Sequence, residues 1–238
     1  MTTVCPALKN LRQRLKEVEQ LLRLCEPSSS GIRAQSAARR KDDALCRAAM
    51  VLLCSHMEGF FEDLVQDTLQ FHELNRTEIT SLPLRVRIRQ TWKHLENIES
   101  ATDEKKWSVL QVIRESNLTN DTMRCEIGLL NVDIHTKGFA SPGSKEVEKL
   151  LNSIGIDDIW EAIENKQPSS KILKASLDSL VYRRHPIAHG NAGAKATPID
   201  VKSYIKDMHK LASLIDVVVA DSLLICCALT DPWSILYQ

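Results

Sequence analysis

Residues 41–69 constrain this chain more than any other stretch. Leu45, Ala48, Ala49, Leu52, Leu53, Phe60, Phe61, Leu64, Val65 and Leu69 recur at helical spacing, and they occupy more than one face of the helix they would form. A helix apolar along a single stripe lies on a surface, whereas one apolar on several sides has to be surrounded. The pattern predicts a long central helix starting near Lys41, with Asp42 or Asp43 at its N-terminus.

The flanking segments supply helices to surround it. Val4, Leu8, Leu11, Leu15, Val18 and Leu22 form one apolar stripe, and "CEPSSSGIRAQS" (25–36) then breaks the pattern. Residues 82–100 predict a helix from about Pro83, although "RVRIR" also alternates like a short strand. "DEKKWSVLQVIRES" reads as a further helix, 117–144 mostly as loop, and 145–154 and 157–165 as short helices. Ser170 is placed to cap a helix over 171–184 that buries Leu173, Leu177, Leu180 and Val181. Thr197-Pro198 marks the start of a last long helix, reaching about Ala228. No alternating strand series, internal repeat or linker is present, so the expectation is one all-α domain over 1–238.

Charge and cysteine content exclude several classes. Lys and Arg total 31 and Asp and Glu total 31, which leaves no overall basic coat but permits a local basic site. Seven cysteines are scattered without a C-x-x-C pair, suggesting neither a zinc site nor a disulfide framework. The first residues are charged and amphipathic rather than signal-like, and "LIDVVVADSLLICCAL" (214–229) is interrupted by Asp216 and Asp221. A reducing cytoplasm and no membrane contact are expected, with the cysteines as small buried hydrophobes and the N-x-T triplets at Asn75, Asn117 and Asn120 as chance. Phosphate-loop, dinucleotide, zinc-protease and hydrolase-elbow motifs are absent, so no cofactor or metal is expected.

"RRHPIAHG" (183–190) is the stretch that carries chemistry. Arg184 and His189 would diverge by about 140° on an unbroken helix. Pro186 disfavours helical backbone at His185, and Gly190 suits a helix end. The segment therefore reads as a helix end, a kink and a short terminated turn. An imidazole exchanges protons near neutral pH, and a guanidinium grips phosphate oxygens. Together they can cleave RNA, whose 2′-hydroxyl already lies beside the phosphorus. The alternative is a helix terminus whose arginines pair with acids and whose histidines bond carbonyls.

"LVYRRHPIAHG" resembles the signature of the HEPN superfamily, with Arg184, His185, Ile187, Ala188, His189 and Gly190 in the motif positions and His185 where asparagine is frequent. "CSHMEGFFEDL" (54–64) is similar to the A-H-W-E-G-F segment of HEPN nucleases near the RiboL-PSP and MAE-type groups. His56, Glu58, Gly59 and Phe60 align there, while Met57 replaces tryptophan. The likeness spans roughly residues 40–225. It divides the chain into an N-terminal amphipathic helix and loop (1–34) and a HEPN-like helical core (40–225).

The resemblance implies a homodimer with a composite active site that cuts RNA without metal, leaving a 2′,3′-cyclic phosphate and a 5′-hydroxyl. It implies a toxin or antiphage role with an antitoxin or defence-system partner. His189 would be the acid/base residue, Arg184 would hold the scissile phosphate, and His185 would assist. Glu58 would pair with Arg184 or His189; its alternative is a solvated or structural carboxylate. His56, off Glu58's face, reads as structural. Arg183, Arg85, Arg87, Arg89 and Lys93 are candidate RNA contacts, each with a solvated or acid-paired alternative. Trp92, Trp107, Trp160 and Trp233 read as core or interface residues. The rival reading is a non-catalytic HEPN dimer that binds RNA, a nucleotide or a partner protein.

Overall fold

A computed structural model of the chain describes residues 3–25, 32–95, 98–99, 101–115, 118, 122–191, 193–225 and 231–237, with 32–38, 94 and 115 as backbone only. Among these residues the chain is helical and contains no strand, only an isolated antiparallel bridge between Glu78 and Arg124. The central helix, α2 (Ile32–Leu74), is longer than its apolar pattern. Asp42 and Asp43 therefore lie inside it and not at its N-terminus, because a helix continues through polar residues wherever nothing breaks it. Met50, Leu53, Met57, Phe60, Phe61, Leu64 and Val65 are fully enclosed. Between Arg39 and Leu74 this helix is long and apolar enough, by composition alone, to cross a bilayer. In the fold that apolar surface forms the centre of the bundle.

Helix α1 (Pro6–Arg23) lies along α2 and buries Ala7, Leu8, Leu11, Leu15, Val18 and Leu22. Arg14 pairs with Asp63 at 3.0 Å, and His56 approaches Glu17 at 3.3 Å. Two buried carboxylates receive the start of α1: Asp67 accepts from the Ala7 N–H at 2.7 Å and Asp216 from the Cys5 N–H at 3.1 Å. Carboxylates suit the partly positive end of a helix.

After a 3₁₀ turn at Ile79–Ser81 come α3 (Leu84–Leu95) and α4 (Asp103–Glu115), so "RVRIR" is helical. The loop reading of 117–144 is modified by a single helical turn, α5 (Asp133–Thr136). His135 on it is buried, with Nδ1 3.0 Å from the Ser153 hydroxyl and Nε2 3.2 Å from the Gln90 amide. The Ser153 hydroxyl donates to the Leu150 carbonyl, so His135 donates from Nδ1 and accepts at Nε2. Helices α6 (Ser144–Ser153) and α7 (Ile159–Lys166) fall where expected. Asp178 accepts from both the N–H and the hydroxyl of Ser144 and so holds the start of α6.

Helix α8 (Lys171–Ala188) follows a 3₁₀ turn at Pro168–Ser170 without a break. Ser170 holds the N-cap position, but its backbone is already helical and its side chain makes no capping bond. Helix α9 (Pro198–Leu224) begins at the expected residue with a reciprocal cap between Thr197 and Asp200. Asp200 also pairs with Arg183, Tyr204 meets the Ser179 hydroxyl at 2.7 Å, and Asp207 accepts from Ser176 at 2.7 Å, which ties α9 to α8. The break at 26–31, Asn117, Asn120, Cys226, Cys227 and the expected end of α9 near Ala228 lie outside the described residues.

Candidate active site

Pro186 does not break α8. The helix runs through it to Ala188, with His189 as its C-cap. A proline near a helix end removes one backbone bond and leaves the following turn intact. Gly190 then stops the helix: its φ is +77°, its N–H donates to the Ile187 carbonyl at 3.1 Å, and the Asn191 N–H reaches back to the Pro186 carbonyl at 2.9 Å. This paired closure needs a left-handed residue after the cap, and glycine takes that conformation without a Cβ penalty. The expected helix end before Pro186 and separate second turn are replaced by one helix that closes at Gly190.

The unbroken helix separates the motif side chains. Leu173, Leu177 and Leu180 form the buried stripe of α8, and Arg184, four residues after Leu180, continues it. Its Nε is buried with no hydrogen-bond partner among the described residues. On α2, burial pushes the Cys54 thiol up to about 11; the positive charge of Arg184 opposes that rise and the negative charge of Glu58 adds to it. One buried sulfur thus feels both charges, which places the guanidinium and the carboxylate in one neighbourhood between α2 and α8. Among the described residues Glu58 forms no ion pair with Arg184 or His189.

The histidines leave that neighbourhood. His185 and His189 are exposed, one turn apart, with ring centroids 4.4 Å from each other. Within one chain, α8 therefore presents two imidazoles outward at its terminus and turns Arg184 towards α2.

The α2 segment divides in a similar way. Met57, Phe60 and Phe61 enter the core, and Glu58 lies one turn after Cys54, the thiol that also senses Arg184. His56 and Gly59 face α1, where a Cβ at Gly59 would meet Arg14 Nη1 at 2.9 Å. His56 is held below its usual range, chiefly by burial.

A family model described as RiboL-PSP-HEPN matches residues 9–221, nearly the whole described bundle. The chain belongs to that family. Its HEPN domain is of a kind generally associated with ribonucleases or with nucleotides. No curated protein and no solved structure matches the chain.

The other basic candidates on this HEPN chain are engaged within the fold to different degrees. Arg183 lies 3.3 Å from Asp200 and over the Tyr204 ring. Arg85 is 2.5 Å from Asp157, and Arg87 donates to the Leu118 carbonyl at 3.2 Å. Arg89 and Lys93 line a cleft of about 420 Å³ together with Trp92 and Lys137. Trp160 and Trp233 are buried, but Trp92 and Trp107 are exposed on α3 and α4, which overturns the core reading for those two. Among the described residues no three His, Cys, Asp or Glu side chains converge as a metal-holding group. Cys54 and the acids Asp67 and Asp216 were missed as polar neighbours by sequence reasoning. Only the spacing of Cys54, one turn before Glu58, hinted at a shared location.

Proposed function

We propose that this HEPN protein is a metal-independent endoribonuclease, working in the cytoplasm as a homodimer and serving as a toxin or antiphage effector with a cognate partner protein. The observation that carries the reading is the divergence of the motif on α8, with exposed imidazoles at the helix end and a half-buried guanidinium beside α2. A single chain offers the imidazoles to solvent and holds the guanidinium half-buried against α2, and a second copy would supply the complement across a shared cleft.

In this reaction His189 removes the 2′-hydroxyl proton, the 2′-oxygen attacks phosphorus, and the bond from phosphorus to the 5′-oxygen breaks. A protonated imidazole, His185 or a partner histidine, gives its proton to the leaving oxygen. Arg184 neutralises the phosphate, and Glu58, one turn from the Cys54 thiol that senses both charges, is the carboxylate available to pair with that guanidinium once RNA or a second chain repositions it. The products are a 2′,3′-cyclic phosphate and a 5′-hydroxyl. The non-catalytic reading gains support from one fact: Glu58 is not ion-paired to either motif residue.

The test is cleavage of transfer RNA by purified protein in excess EDTA beside a His189→Ala variant of equal stability. Cutting by the first alone, with cyclic-phosphate ends, is the expected result. Silence from both proteins with RNA still bound makes the non-catalytic dimer the better reading.

A further inference from the structure

The groove between α1 and α9 gathers more cations than the α3 cleft that holds Arg89, Lys93 and Lys137. Arg12, Lys16 and Arg23 stand at intervals of four and seven on one face of α1, and Lys202 and Lys206 stand four apart on α9. All five are exposed and line one cleft of about 810 Å³. Glu19 is its single acidic lining residue, and His209 is held below its usual range by burial and by Arg12.

Several cations elsewhere in the fold are met by acids: Arg14 by Asp63, Arg85 by Asp157, Arg124 by Glu78, Lys166 by Asp221 and Arg183 by Asp200. The five groove cations form no ion pair among the described residues. A chain with zero net charge has carboxylates enough to compensate them, yet two helices distant in sequence face each other with like charge. Such repulsion costs stability and is relieved when an anion enters.

The groove's floor indicates which anion. Leu15, Leu22 and Ile205 expose only 4%, 6% and 8% of their surface, so an amphipathic acidic helix would find little apolar area to bury there. Affinity must come from charge. Five cations spread over about three turns of helix exceed what one phosphate can contact, and lysines act as flexible point charges that follow a backbone without reading bases. From this we infer that the α1–α9 groove is a binding track for the phosphate backbone of single-stranded RNA, separate from the motif on α8. The inference rests on the ribonuclease reading for the identity of the polyanion. It assigns to the substrate a second, sequence-independent contact, made by α1 and α9 and not by the motif residues.

The experiment measures binding of a fluorescein-labelled single-stranded RNA between 50 and 200 mM salt. All proteins carry His189→Ala, so the probe survives. Lys202→Ala/Lys206→Ala is compared with Lys105→Ala/Lys145→Ala, two exposed lysines on α4 and α6. The groove variant should bind more weakly, and its log–log salt slope should shrink by about 1.4, roughly 0.7 for each lost charge on a single strand; the control should keep the parent slope. Equal slopes in all three proteins, no RNA binding at 50 mM salt, or binding of polyglutamate in preference to RNA would each overturn the assignment. If the wild type fails to cut RNA but the lysine variant still lowers the slope, the nuclease reading falls and the groove stands. If the wild type cuts and the slopes agree, the groove falls alone.

Discussion

The two stretches that carry the family likeness differ in what holds them. Residues 54–64 sit in the middle of α2, where Met57, Phe60 and Phe61 are fully buried and α1 covers His56 and Gly59. Residues 183–190 end α8, where Arg184 still faces the core but His185, His189 and Gly190 are exposed. One stretch is scaffold with a single polar residue set near the site. The other carries the proposed chemistry on a helix terminus. The lesson is that a motif's residues can be separated by burial into those whose loss unfolds the protein and those whose loss only silences it.

The largest effect should come from the scaffold. Phe60→Ala removes a ring with no exposed surface, and a loss of about 3–5 kcal/mol is expected. Equilibrium denaturation would measure it, and a cost as small as that of a surface change would erase the distinction between the two stretches. His189→Ala, at the exposed stretch, should stay within about 0.5 kcal/mol of the parent while abolishing cleavage.

Next in size is a pH effect that belongs to the scaffold alone. Burial raises the Asp67 carboxyl from 3.8 to about 7. The folded form then keeps a proton that the unfolded chain has lost, so this contribution is complete below pH 3.8 and fades as pH rises through 7. Buried His72 is lowered from 6.5 to about 4. Its contribution is present above 6.5 and is lost as pH falls through 4. The two oppose each other across the same window. Asp67→Asn should cancel the first and leave a steeper loss of stability on acidification, read as denaturant midpoints from pH 4 to 7. An unchanged profile would show that Asp67 is ionised in the fold.

The smallest effect tests the terminus. Gly190→Ala places a Cβ at φ +77° with no neighbour within 4 Å, so backbone strain of about 1–2 kcal/mol is the whole cost. Thermal unfolding would register it. Cleavage should fall further than stability does, because the strain sits one residue from His189. Equal losses would mean that the terminus positions nothing.

Much of the fold was legible in the sequence because its signals are local. The α1 stripe, the Thr197-Pro198 start of α9 and the Gly190 stop of α8 each depend on residues within one or two turns. The extension of α2 back to Ile32 was not legible, since Asp42 and Asp43 resemble a helix start unless the preceding turns are known. Pro186 misled for a related reason: its local preference favours a break, but the helical turns before it, the closing bonds at Gly190 and Asn191, and Ile187 packed against the core hold the helix through it.

The sequence by itself determined the all-helical class, the central role of residues 45–69 and the grouping of Arg184, His185 and His189 in one short motif, because periodicity and residue type carry that information. Only the tertiary structure decided that Arg184 continues the buried stripe of α8 while the histidines face outward. It also placed Glu58 and Arg184 around one sulfur and set the basic faces of α1 and α9 opposite each other. Those outcomes depend on which helix faces meet, and that is settled by packing between segments far apart in the chain, where helical spacing alone holds no information.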